Sequence, residues 1–213
     1  TKDFENLINH SSVDMISQND FEISRNLEIN KNTYIAKNQS FLIKNNVNLQ
    51  LNNGAILFIQ GNIKFEGLSD SKIHIKSDGS GSIIFENNDV IIKHTNIENL
   101  GYPKLNQYIL YGGLNFINSN VVLENMLIKD SKSEDAINLI NSKTLLKNIF
   151  LENIESDAID IDFGSVNFNK INCLNIRNDC LDISGAKTKG TKLIIDKSYD
   201  KGLSIGENSN VQD

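Results

Sequence analysis

Acidic residues recur at a fixed interval in the second half of this chain. The segment Asp157-Ala158-Ile159-Asp160-Ile161-Asp162 is followed 22 residues later by Asp179-Cys180-Leu181-Asp182-Ile183, and after another 22 by Lys201-Gly202-Leu203-Ser204-Ile205. The alternation of apolar and polar residues makes each segment a strand with one buried face. Ile159/Ile161 and Leu181/Ile183 then point inward, and Asn115, Asn138, Asp160, Asp182 and Ser204 form an outward row facing solvent. Asp162 lies two residues beyond Asp160 on the same face, about 7 Å away. Carboxylates stacked this closely repel unless a cation or a proton compensates. Asp160, Asp162 and Asp182 are therefore candidate Ca2+ ligands.

A second column, Asp135, Asp157 and Asp179, ends in Lys201. It falls at the turn entering the same strand, where a carboxylate accepts from the backbone N–H two residues on. Beside it stand Ala136, Ala158, Cys180 and Gly202. All four are small and are read as outward, leaving room for a ligand, a turn or a neighbouring chain.

The positioning elements follow from the period. The apolar pairs Ile137/Leu139 and Leu114/Phe116 continue the column upstream, as do Ile83/Phe85, Ile63/Phe65, Phe41/Ile43 and Phe21/Ile23. A second column runs through Ile97, Ile128, Leu151, Cys173 and Ile195, and a third through Leu27/Ile29, Val47/Leu49, Ile73/Ile75, Val90/Ile92 and Val166/Phe168. Each period carries about three short strands separated by Asn, Asp, Ser and Gly, the turn formers. This predicts an all-β, right-handed parallel β-helix of about nine coils, with about 22 residues per coil. Asn and Ile are the commonest residues, the single Pro and absent Trp agree, and the Leu-x-x-Leu-x-Leu framework of a leucine-rich horseshoe is absent. Residues 1–20 read as an N-terminal cap, with helical spacing of Phe4, Leu7 and Ile8 and Asp3 as N-cap. Residues 21–213 read as one domain. It stops mid-repeat, so the chain is expected to continue in a longer protein or to meet an end-to-end or domain partner at its open C-terminal coil.

The step from Ile83 to Leu114 is 31 residues, which places an insertion at 101–112, GYPKLNQYILYG. It holds Tyr102, Tyr108 and Tyr111, rings suited to stacking on sugar faces. Ile109, Leu110 and a Tyr could equally pin the loop to the body. With Asn138 these tyrosines are the candidate substrate-binding residues. The net charge of −6 argues against a nucleic-acid backbone as partner. No apolar run reaches the length of a membrane span. His10, His74 and His94 lack metal-ligand spacing and read as surface or edge residues. Cys173 reads as inward and Cys180 as outward, which disfavours a disulfide between them.

These features resemble the pectin-lyase-like superfamily of right-handed parallel β-helices, over nearly the whole chain. Residues 54–79, GAILFIQGNIKFEGLSDSKIHIKSDG, look like the first coils of extracellular β-helix repeat proteins. DAIDIDFGS, NDCLDISG and DKGLSIGE are similar to bacterial β-helix proteins. There is also a partial likeness to polygalacturonases, whose pattern is Asn-Thr-Asp, then Asp-Asp-Cys, then Gly-His-Gly-Leu-Ser-Ile-Gly. The likeness implies Asp157 and Asp179 as acids. Asn178 stands where that family has Asp, and Lys201 where it has His. Lyases of the superfamily use a basic residue and often Ca2+, a role that Lys201 beside Asp179 and Asp182 would fill. The resemblance thus implies a bacterial extracellular or cell-surface module that contacts a polysaccharide or glycan, without turnover and with no required cofactor. The alternatives are a polysaccharide lyase or glycoside hydrolase using Asp157, Asp160, Asp179, Asp182 and Lys201, and a structural or assembly module.

Overall fold

The computed structural model describes residues 4–104 and 110–212. It is an all-β parallel solenoid of about eight turns with about 22 residues per turn. One sheet has nine strands. Its order follows the chain: Glu5–Asn6, Thr33–Ile35, Ile56–Ile59, Ser82–Glu86, Gly112–Ile117, Asp135–Ile140, Asp157–Asp162, Leu181–Ser184 and Leu203–Ile205. The other sheet has 16 strands and bends along its length, so that long strands such as Asn120–Lys129 and Lys143–Ile154 serve both of its halves.

Register explains why the turns are about eight rather than nine. Thr33 pairs with Leu57 and Leu57 with Ile83, steps of 24 and 26 residues. The early coils are longer than the late ones, and fewer fit. Ile63/Phe65, Phe41/Ile43 and Phe21/Ile23 do not belong beneath Ile83/Phe85. They lie in the second sheet, where Ile63 pairs with Val90 and Phe41 with Ile63. An alternating apolar pair looks the same in every column, so a count of 20 to 22 residues slips from one sheet to the other where coil length varies.

Inside, the same side chains stack on themselves from coil to coil. Ile83, Leu114, Ile137 and Ile159 are fully buried, and Phe85 stacks on Phe116 at 4.6 Å between ring centroids. Parallel ladders consume the backbone N–H and C=O groups, so the chain turns sharply at corners where left-handed conformations are needed. One corner column is Asn87, Asn118, Asn141, Phe163 and Gly185, all at positive φ. Asn tolerates this conformation, and Asn141 Nδ2 donates to Asn118 Oδ1 at 2.8 Å along the column.

The cap differs from the expected helix. Leu7–Asn9 forms a single 3-10 turn whose N-cap is Asn6, its side chain accepting from the Ile8 N–H. Asp3 lies outside the described residues. Leu7 is buried against the first coil, and Asp14–Met15 runs antiparallel to Asp20–Ile23. At the other end Leu203, Ile205 and Val211 are 40%, 54% and 38% exposed. Among the described residues no helix is long and apolar enough to cross a membrane.

Candidate functional site

The outer face of the nine-stranded sheet carries a continuous row. Tyr34, Phe58, Ile84, Asn115, Asn138, Asp160, Asp182 and Ser204 are partners in successive strand pairs. Its first half is apolar and covered: Ile56, Ile84 and Leu110 form a small second core against Phe4, Phe58, Ile117 and Ile140. Asn115 and Asn138, expected in solvent, are 0% and 3% exposed. The reason is that the segment entering Gly112–Ile117 folds back over the sheet. Leu110 seats in the second core, and Asn115 closes on Gly112 with two hydrogen bonds, donating to its carbonyl at 2.6 Å and accepting from its N–H at 3.1 Å. The insertion is thus pinned to the body through Leu110. Tyr108 and Ile109 lie outside the described residues. Tyr102 and Tyr111 are exposed, and the Tyr111 carbonyl accepts from the Asp135 N–H.

Beyond Asn138 the row opens. Asp160 pairs in register with Asp182, and Asp162 with Ser184; all four are half-buried. Asp135 is buried and accepts from Asn138 Nδ2 at 3.0 Å, while Asn138 Oδ1 is buried with no partner. Burial pushes Asp135 up to about 8, helped by the carboxylates of Asp160, Asp157 and Glu134. Burial also pushes Asp160 up to about 7, with Asp162, Asp182 and Asp157 adding repulsion. Asp162 is raised by burial and by Asp182.

The second sheet handles charge in the opposite way. Its outward rows alternate in sign: Lys76 and Lys129 both reach Glu98, Lys93 reaches Glu124, and Lys44 and Lys64 both reach Glu66. Stacked like charges are confined to the face around Asp160.

Asp157 and Asp179 have a different use. Asp157 Oδ1 accepts from the Asp179 N–H at 2.7 Å, and Asp179 Oδ1 from the Lys201 N–H at 2.7 Å. Each carboxylate reaches the same position one coil on, not the residue two further along its own turn, because the stacked coil brings that N–H closer. Burial raises Asp157, and the Asp179 N–H works against that rise. Lys201 Nζ pairs with Asp200 and lies 3.6 Å from Asp179 Oδ2. These contacts hold its ammonium above the ordinary lysine range, Asp200 most strongly.

Two expectations are overturned here. Ala136, Ala158 and Cys180 are not outward but buried in the main core, at 1%, 0% and 0% exposure. At the corner entering each strand two consecutive residues face in, Ala158 with Ile159 and Cys180 with Leu181, so strict alternation fails there. For the same reason Cys180 meets Cys173, and the two form a disulfide with Cα atoms 5.9 Å apart.

Phe163 carries no signal in the repeat yet stands out in space. It occupies the corner column otherwise held by Asn and Gly, at φ 63°, and is 59% exposed. Its ring lies over Gly185: a Cβ there would come within 2.8 Å of it. A bulky residue in the left-handed region costs about 1–2 kcal/mol. Its position next to Asp162 puts an open aromatic ring at the edge of the acidic face. The readable signal was a Phe immediately before Gly164 in a column that elsewhere reads Asn-Ser.

Among the described residues no group of three or more His, Cys, Asp or Glu is arranged to hold a metal ion. Comparison with protein families, curated proteins and solved structures finds no match to this chain.

Proposed function

We propose that the outer face of the nine-stranded sheet binds a glycan without turning it over. The observation that carries this reading is Phe163, exposed and in a strained conformation at the end of the strand that bears Asp160 and Asp162. An aromatic ring takes the C–H face of a sugar, and the acceptors beside it take its hydroxyls. Those acceptors are in excess: Asn138 Oδ1 has no donor, and Asp160, Asp162 and Asp182 have few. A ligand satisfying them must bring donors, and sugar hydroxyls do so. Like-charge repulsion favours a neutral or amino-substituted chain over an anionic one unless Ca2+ bridges the two. As a surface module of this kind, the protein would work outside the cell.

The catalytic reading stands second. It is favoured by Asp160 at about 7, in the range of a general acid. Lys201, held protonated by Asp200 and Asp179, is a poor base for a lyase. The assembly reading draws on Leu203, Ile205 and Val211 at the last coil, which offer an apolar edge to a partner.

The test is calorimetric titration with neutral, amino and acidic polysaccharides, with and without Ca2+, alongside assays for new reducing ends and unsaturated products. Binding of a neutral or amino glycan without products is expected, weakened about tenfold or more by Phe163→Ala. Release of products would replace this reading with the catalytic one. Absence of binding across the panel would refute both.

A further inference from the structure

A second site lies on the other sheet, along the bend that divides it. There the column before the second set of strands reads Asn46, Lys72, His94, Asn125, Asn148, Lys170 and Lys192, as the pairings Ile73–Thr95, Asn96–Leu127, Ile149–Ile171 and Ile171–Leu193 require. The bend forms a groove of about 670 Å³. Its floor is a ladder: Asn148 Nδ2 donates to Asn125 Oδ1 at 2.9 Å, and Asn125 Nδ2 lies 3.3 Å from His94 Nε2. Each amide keeps one N–H for a ligand. One wall is apolar, made by the half-buried Leu127 and Phe150, which are register partners. Lys72 stands at one end and Lys170 at the other, four coils apart, about 19 Å. Neither makes an ion pair among the described residues, and Glu152 is the one carboxylate lining the groove. The lysines of the adjacent outward row, Lys76 and Lys129, are by contrast already neutralised by Glu98.

From this geometry we infer that the groove binds an anionic oligosaccharide, with acidic groups on Lys72 and Lys170, hydroxyls on the amide ladder and a sugar face on Phe150. The strands beneath the groove are paired on both sides, so no free edge is offered to an extended peptide, the usual way a sheet captures one. The site is independent of the acidic face, which repels the same ligand.

The experiment titrates hyaluronan oligosaccharides into the full chain at several salt concentrations. Binding is expected to weaken as salt rises. It should fall about tenfold or more in Lys72→Gln/Lys170→Gln and in Phe150→Ala, and stay unchanged in Asp160→Asn/Asp182→Asn. The His94 ring resonances should shift on addition, a readout that needs no variant. No binding at low salt, retained affinity in the lysine variant, or equal affinity for polyglutamate would overturn the inference. Loss of neutral-glycan binding in Phe163→Ala with hyaluronan binding intact separates this site from the one on the acidic face.

Discussion

Asp135 and Asp160 are carboxyls whose surroundings favour the neutral form. Both pKa values lie above the ordinary carboxylate range, at about 8 and about 7. The folded state therefore binds protons that the unfolded state has released. Their contribution is fullest below the unfolded value of 3.8 and is lost as pH rises through about 8. Thermal melts should show stability declining from mildly acidic to mildly alkaline pH. Asp135→Asn should flatten that slope and gain on the order of 2 kcal/mol near the alkaline end; a profile identical to that of the unsubstituted protein would contradict the assignment. Phe163 gives a second prediction of opposite sign for two properties. Phe163→Asn relieves the left-handed strain and should stabilise the fold by about 1 kcal/mol in urea titration, while weakening glycan binding. A loss of stability would mean that the ring is there for packing over Gly185 and not for a ligand.

At the scale of elements, stability lies in columns of like side chains. Phe116, stacked on Phe85 and fully buried, is the clearest case: Phe116→Ala should cost about 3–5 kcal/mol in chemical denaturation. The Cys173–Cys180 disulfide closes a short loop between the two sheets, with a sequence separation of 7. Reduction or Cys173→Ala/Cys180→Ala should cost about 2 kcal/mol, read as a lower melting temperature under reductant; an unchanged melt would contradict it. These columns also determine what could be read in advance. The run Ile137/Leu139, Ile159/Ile161, Leu181/Ile183 was legible because late coils keep one length. Phe41/Ile43 and Ile63/Phe65 were misassigned to that run because the early coils do not. Cys180 and Ala158 were misplaced because a corner breaks period two, and nothing local marks that break. Asn138 was legible as a member of the outward row but not as buried, since its cover comes from a distant segment around Leu110. Phe163 was invisible because its meaning lies in backbone conformation.

For the whole molecule, the two sheets present different chemistry to solvent. One alternates lysine with glutamate and leaves unpaired lysines along an amide-floored groove. The other gathers Asp135, Asp157, Asp160, Asp162 and Asp182 beside an open aromatic ring. A solenoid suits this division, because each coil adds the same short strand and a single substitution per coil rewrites a whole surface row. Fold alone assigns no ligand; the rows do. The most direct test is backbone amide chemical-shift mapping during titration with the neutral or amino glycan that binds best. Shifts concentrated on Asn138, Asp160, Asp162, Phe163, Asp182 and Ser204 are predicted. Shifts confined to other surfaces, or no shifts at saturating glycan, would contradict the central claim that the acidic face is the glycan site.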